Sequence, residues 1–295
     1  MMVPVDALDE LRELTAVAEN RRTETGIPRV AMVRGKVPEH ELAAVYEPMI
    51  NLILQGAKTM TIGERTLRYD PATYFVMSVD LPAVGTVHQG GAGRPYLAVS
   101  LSLEPRVIAE VLAHAPQRVG RGAGFAVASV SAELLDAWTR LLRLMRRPDE
   151  IPVLAPLYER EILFRVLQGP QGHLLREIAV PDSAISRVRL AIQWIRENYA
   201  RPLRTKGLAR IAAMSESAFH RHFKSVTTMS PLQFQKRLRL MQARSLLVES
   251  LTTASSVAFE VGYESSSQFN REYSRFFGRP PATDAREVRA RLQRG

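Results

Sequence analysis

Between Arg29 and Leu103 the chain runs in short apolar stretches broken by glycine, proline and aspartate. That is the pattern of strands joined by tight turns. The runs Met49–Leu54, Lys58–Ile62, Thr66–Tyr69, Tyr74–Val79, Val84–Val87 and Tyr96–Leu103 predict strands, with turns at Gln55-Gly56, Gly63-Glu64 and Asp70-Pro71. Short strands at this spacing suggest a small antiparallel barrel or jelly roll. Helical periodicity flanks them: residues 6–20 carry Leu8, Leu11 and Leu14 at helical spacing, and 105–114 follow the last strand. Ser131 to Arg146 is stronger, with a stripe of Leu134, Leu135, Trp138, Leu141, Leu142 and Met145 and Ser131 placed to cap it. Pro156 to Leu167 predicts another helix, stopped by Gly169-Pro170. These stripes either pack on the barrel or form a dimer seam.

After Val180-Pro181 the pattern is helical only. Asp182 or Ser183 can cap the first of seven helices, over 184–198, 205–212, 216–226, 231–248, 253–261, 266–277 and 283–293, punctuated by Pro202, Pro231 and Pro280-Pro281. The expected architecture is therefore a two-domain α+β chain. Residues 1–180 form a β-barrel with flanking helices, and residues 183–295 form an all-α domain.

Within the second domain one pattern occurs twice, fifty positions apart: Ser217-Ala-Phe219-His220-Arg221-His-Phe223 and Ser267-Gln-Phe269-Asn270-Arg271-Glu-Tyr273. Residues at i and i+4 share a helix face, so the aromatics point into a core and the polar–Arg pair points elsewhere. Leu208 to Ala213 is the supporting helix of the first copy, Met214-Ser215 its turn, and Ser215 the cap of the next helix. Val257 to Val261 supports the second copy and Gly262 supplies its turn. Two such units read as tandem helix-turn-helix probes. The helix between them, 231–248, has one stripe at Phe234, Leu238 and Met241 and another at Leu240, Ala243 and Leu247. It is about 25 Å long and so a strut able to hold the probes near one duplex turn, about 34 Å, apart.

Charge adds a partner. Residues 183–295 hold 20 Lys+Arg and 8 Asp+Glu, while 1–182 hold 20 and 22, so the whole net +10 lies in the helical half. A basic domain beside a near-neutral one suits a polyanion, although an arginine-rich solvated surface has the same count. Arg221, Asn270 and Arg271 are expected base contacts, since Arg pairs with guanine and Asn with adenine bidentately, and Ser217, His220, Ser266 and Ser267 are adaptable contacts to bases or phosphates. Lys224, Lys236, Arg239 and Arg275 are the expected phosphate contacts, with a domain contact as the alternative for Lys236, Arg237, Arg239, Arg275 and Arg279. The competing reading of Arg221 and Arg271 is a surface ion pair with Glu216 or Glu272. His220 and His222 are two apart and do not share a helix face, so no metal is expected there. No cysteine is present, which leaves no disulfide framework or thiolate site. The first twenty residues lack a signal-peptide pattern, and no apolar run reaches membrane-spanning length. A cytoplasmic location without membrane contact is expected.

At these residues the chain resembles the AraC/XylS family of bacterial transcription regulators. Over about 183–283 the carriers are Leu208-Ala-Arg-Ile-Ala-Ala-Met-Ser215, Phe219-His-Arg-His-Phe-Lys224, Met229-Ser-Pro-Leu-Gln-Phe234, Leu238-Arg-Leu-Met-Gln-Ala-Arg244, Val257-Ala-Phe-Glu-Val-Gly-Tyr263, Ser267 to Tyr273, and Phe276-Phe-Gly-Arg-Pro280-Pro281. The family's base-contacting positions fall on the seven residues named above. Two departures stand out: Ala213 replaces a common glycine before the turn, and the aromatic usual after the proline pair is missing from Ala282 to Arg286. Residues 28–180 resemble the AraC-type N-terminal domain through Val45-Tyr46-Glu47-Pro48, Leu54-Gln55-Gly56, Tyr69-Asp70 and Tyr74 to Val79. This resemblance implies a cupin-like barrel that senses a small-molecule effector or forms a homodimer, with double-stranded operator DNA and RNA polymerase as partners and no cofactor. Two other readings compete. One is a ligand-independent dimeric scaffold. The other is a cupin-type metal enzyme fused to a DNA-binding domain, against which only His88 lies on a predicted strand while His40 and His114 lie outside.

Overall fold

A computed structural model of the protein describes residues 5–19, 22–35, 40–71, 73–115, 123–249 and 252–292. Residues 20 and 293, at the ends of two expected helices, lie outside these. Helix α1 (Val5–Thr15) leads into β1 (Thr23–Glu24), β2 (Val30–Gly35), β3 (His40–Tyr46), β4 (Met49–Gln55), β5 (Ala57–Ile62), β6 (Arg65–Tyr69), β7 (Thr73–Met77), β8 (Leu81–His88) and β9 (Tyr96–Ser102). Then follow α2 (Pro105–Leu112), β10 (Phe125–Ser129), α3 (Ala132–Arg143), α4 (Ile151–Gln168) and α5 (Gly172–Ala179).

The strands form two antiparallel sheets, ordered β1-β2-β9-β4-β7-β10 and β3-β8-β5-β6. Among the described residues no ladder joins the two, so the expected barrel is an open two-sheet sandwich. All six expected strands are present. The alternation in β5, with Lys58, Met60 and Ile62 buried and Thr59 and Thr61 half-buried, shows which face turns inward. Strands β1, β2, β3 and β10 extend the expected set. β10 pairs Phe125 with Met77 and Ser129 with Thr73, a distant pairing that no local turn announces.

Helix α3 is capped as expected, Ser131 Oγ accepting from Leu134 N at 3.2 Å. Helix α4 begins at Ile151, ahead of the expected Pro156, which sits inside it. Pro152 fills a first-turn position whose amide has no intrahelical partner. Pro156 gives up one further bond, and burial of Ala155, Ile162 and Leu163 carries the helix through. Helix α5 adds to the expected helices.

The helical half contains the seven expected helices: α6 (Ala184–Glu197), α7 (Thr205–Ile211), α8 (Glu216–Thr227), α9 (Pro231–Glu249), α10 (Ala254–Glu260), α11 (Ser266–Phe277) and α12 (Pro281–Leu292). Ser183, not Asp182, caps α6, accepting from Ser186 N at 2.9 Å. One apolar core runs from the sandwich through α3–α5 into α6–α8 and includes Phe234 and Leu238 of α9. A second, separate core takes Leu240, Ala243 and Leu247 of the same helix, with Val257, Phe269 and Tyr273. The two stripes of α9 are thus anchored in two different cores. No described helix is long and apolar enough to cross a membrane.

Candidate nucleic-acid interface

The two repeats fold as two helix-turn-helix units. Ser215 Oγ accepts from Ala218 N at 3.3 Å to start α8, and Ser265 Oγ accepts from Gln268 N at 3.4 Å to start α11. Such caps satisfy amides that the first helical turn leaves open. Phe219 and Phe223 are fully buried, with ring centres 5.4 Å apart, and Phe223 meets Phe234 of the strut edge-on at 5.6 Å. Phe269 and Tyr273 repeat the 5.4 Å spacing in the second core.

The turns differ. Gly262 has φ +90, and a Cβ there would lie 2.1 Å from Ala200 O, so only glycine fits. In the first unit Ala213 takes the same left-handed region at φ +50. Its carbonyl accepts from Arg187 Nη1 at 3.0 Å.

Anchoring the aromatics turns the polar edges outward. Ser217, His220, Arg221, Ser267, Asn270 and Arg271 are all exposed, and Ser266 is half-buried. Ser217 Oγ lies 3.4 Å from the cap Ser215 Oγ. The competing surface pair does not form at Arg271. Glu272 instead accepts from Lys236 Nζ at 2.8 Å, Gln268 Nε2 at 3.1 Å and the Tyr263 hydroxyl at 2.9 Å. Burial pushes the Glu272 carboxyl up, but these hydrogen bonds and the Lys236 charge outweigh it and hold it below the usual range.

The four expected phosphate residues separate into two kinds. Lys224 and Arg275 are exposed on the probe helices. Lys236 is tied to Glu272. Arg239 donates to the carbonyls of Tyr199 at 2.7 Å, Gly262 at 2.8 Å, and Ala200 and Arg201 at 3.1 Å. Gln235 Nε2 reaches Tyr199 O and Arg201 O at 2.9 and 2.7 Å. Arg239 and Gln235 therefore clamp the loop after α6, and Arg239 adds the turn of the second unit. Of the other basic residues, Arg279 pairs with Glu287. Arg237 Nη2 donates to Gly63 O at 2.9 Å, and its guanidinium lies 5.7 Å from the Phe276 ring centre. The helical spacing could not announce the roles of Lys236, Arg237 and Arg239, because their partners lie 23 or more residues away.

The absent aromatic after Pro281 has a polar replacement. Asp284, buried, accepts from Arg244 at 2.8 and 2.9 Å and from the Tyr273 hydroxyl at 2.8 Å. This network fastens α12 to both the strut and the second probe. In the sandwich, His88 Nε2 meets Thr59 Oγ1 at 2.8 Å, and His114 is exposed. The side chain of His40 lies outside the described residues.

Two exposed probe helices on one strut, behind a two-sheet module, define a tandem helix-turn-helix protein. The chain belongs to the AraC family of transcriptional regulators. Residues 26–174 match the family described as AraC-type transcriptional regulator N-terminus, and residues 208–287 match a helix-turn-helix domain. It is similar to the HTH-type transcriptional activator RhaS of Escherichia coli, with 29% identity over 155 residues, 52% of this chain and 54% of RhaS. The match thus spans about half the length of that relative. The fold is similar to an apo lysine-to-alanine variant of ToxT from Vibrio cholerae, with TM-score 0.55 at 8% identity over 90% of this chain and 98% of that variant. It is also similar to ToxT with a bound unsaturated fatty acid, with TM-score 0.51 at 9% identity over 86% and 94%.

Proposed function

We propose that the protein is a sequence-specific transcription regulator that binds double-stranded operator DNA with α8 and α11, under control of its N-terminal sandwich. The observation that carries this reading is the repeated, exposed polar edge at Arg221 and Arg271, whose guanidiniums have no ion-pair or hydrogen-bond partner among the described residues. The strut of 19 residues is about 27 Å long, so the two probes suit adjacent major grooves on one face of a duplex. Ser217, His220, Ser266, Ser267 and Asn270 complete the base-reading set, and Lys224 and Arg275 hold phosphates.

The sandwich acts as effector sensor, a role supported by its contacts with the first unit and by ToxT, which binds an unsaturated fatty acid on a similar fold. Effector control requires different ligand affinities for two arrangements of the chain. The homodimer seam falls on α4, where Val153, Leu157 and Phe164 share a stripe and remain exposed. Contact with RNA polymerase and a cytoplasmic location follow from the same regulator reading.

Selection of bound fragments from sheared genomic DNA by the purified chain tests the proposal. A recurring site is expected. Arg221→Ala and Arg271→Ala should each lose about 1–3 kcal/mol of discrimination at their own half of that site while the fold survives. Recovery of random fragments alone, or unaltered footprints for both variants, would refute it.

A further inference from the structure

The interior of the sandwich holds an ammonium group with no acid beside it among the described residues. β5 places Lys58 opposite Val87 of β8 and Tyr69 of β6, and Met60 opposite Gly85. Alternate residues share a face, so Lys58 enters the core with Met60 and Ile62. It is 6% exposed, and Nζ sits 4.6 Å from the centre of the Tyr46 ring. Gly85 leaves the room for this: a Cβ there would lie 2.8 Å from the Tyr46 hydroxyl and 2.9 Å from Lys58 Cε.

From the facing sheet, Asn51 accepts from the Tyr69 hydroxyl at 3.3 Å. The Tyr96 hydroxyl is buried and has no hydrogen-bond partner among the described residues. Tyr46, Tyr69 and Tyr96 are near enough to influence one another electrostatically. Burial pushes the Lys58 ammonium down to about 8.

A buried charge without a counter-ion is costly, and so is a buried donor without an acceptor. Both deficits here call for the same thing, a negatively charged acceptor. One cation balances one negative charge, which suits a carboxylate and would leave a phosphate dianion half uncompensated. The surrounding wall of Met60, Ile62 and Tyr69, with Phe75 stacked on Tyr69 at 5.3 Å, suits an organic body.

We propose that the sandwich interior binds a small organic monocarboxylate, paired with Lys58 and hydrogen-bonded by the Tyr96 hydroxyl. Calling this ligand the effector rests on the regulator reading above; the binding itself does not.

The experiment uses the full chain, thermal unfolding and titration calorimetry. The probes are a series of monocarboxylates from acetate to decanoate together with benzoate, each compared with its neutral amide. At least one acid is expected to raise the unfolding midpoint where its amide does not. Lys58→Met should abolish that response, and Tyr96→Phe should weaken binding about tenfold, the loss of one hydrogen bond to a charged group. Tyr96→Phe keeps its ring and carries the test alone if Lys58→Met misfolds. The proposal is overturned if no acid outperforms its amide, or if a folded variant of either kind binds as tightly as the parent chain. Selection on genomic DNA is run separately. Carboxylate binding without DNA preference would sink the regulator reading and leave this site, and DNA preference without a carboxylate response would do the reverse.

Discussion

Thr228, at the end of the first probe helix, donates from Oγ1 to the carbonyl of Ile62 at 3.0 Å, and a Cβ on the adjacent Gly63 would lie 2.3 Å from that same oxygen. The contact joins the sandwich to the first helix-turn-helix unit. Thr228 has φ +60, an outlier for a β-branched residue, while the corresponding position of the repeat is Gly278 at φ +76. Left-handed backbone costs a non-glycine residue about 1–2 kcal/mol, and here the interdomain hydrogen bond offsets it. Arg237 reaches the neighbouring Gly63 carbonyl and also faces Phe276 of the second probe helix. A single turn of the sandwich therefore touches both the first unit and a strut residue that faces the second.

Gly63→Ala should disrupt this junction, since the added methyl meets Thr228 and the position itself has φ +61. Amide exchange over residues 226–237 is expected to rise while the second core stays protected. Unchanged exchange there would show that the junction does not depend on Gly63.

Ala213→Gly should stabilise the chain. The left-handed φ of +50 penalises alanine by about 1 kcal/mol relative to glycine, less the entropy that glycine gives back to the unfolded chain. Urea unfolding should show a gain of up to about 1 kcal/mol. A loss would mean that the alanine methyl makes a packing contact worth more than the strain.

Asp284→Ala removes the acceptor for Arg244 and Tyr273 at a buried site. Breaking a buried pair by deleting one partner costs about 3–5 kcal/mol. Because the second unit has its own core, its exchange protection should fall before that of the sandwich. A loss below about 1 kcal/mol would show that α12 is held by other contacts.

Stability should depend on pH through Lys58. Its folded value of about 8 lies below the ordinary 10.5. The charged form is thus disfavoured in the folded chain, and a constant penalty is present below pH 8. Between pH 8 and 10 the unfolded state binds more protons, so stability rises with pH, by at most about 1.4 kcal/mol per pH unit. Above pH 10 the slope reverses, because burial raises Tyr46, Tyr69 and Tyr96 and only the unfolded chain ionises them readily. Lys58→Met should flatten the rise between pH 8 and 10 in denaturant midpoints. A rise of equal size in that variant would assign it to another group.

Local chemistry made much of this protein legible in the sequence. The caps Ser131, Ser215 and Ser183, the turn at Gly262, the anchors Phe219, Phe223, Phe269 and Tyr273, and the two stripes of the strut all follow from interactions within a few residues or from one helical period. Periodicity says which face a side chain occupies, but not what meets it there. Tertiary structure decided that Arg221 and Arg271 have no partner among the described residues while Arg237, Arg239 and Lys236, equally basic, are engaged with Gly63, Gly262 and Glu272. It also decided that β10 closes on β7, that Asp284 replaces an aromatic, and that Lys58 lies among tyrosines. Each of these contacts joins residues far apart along the chain, where no spacing rule connects them and only the packed fold sets the distance.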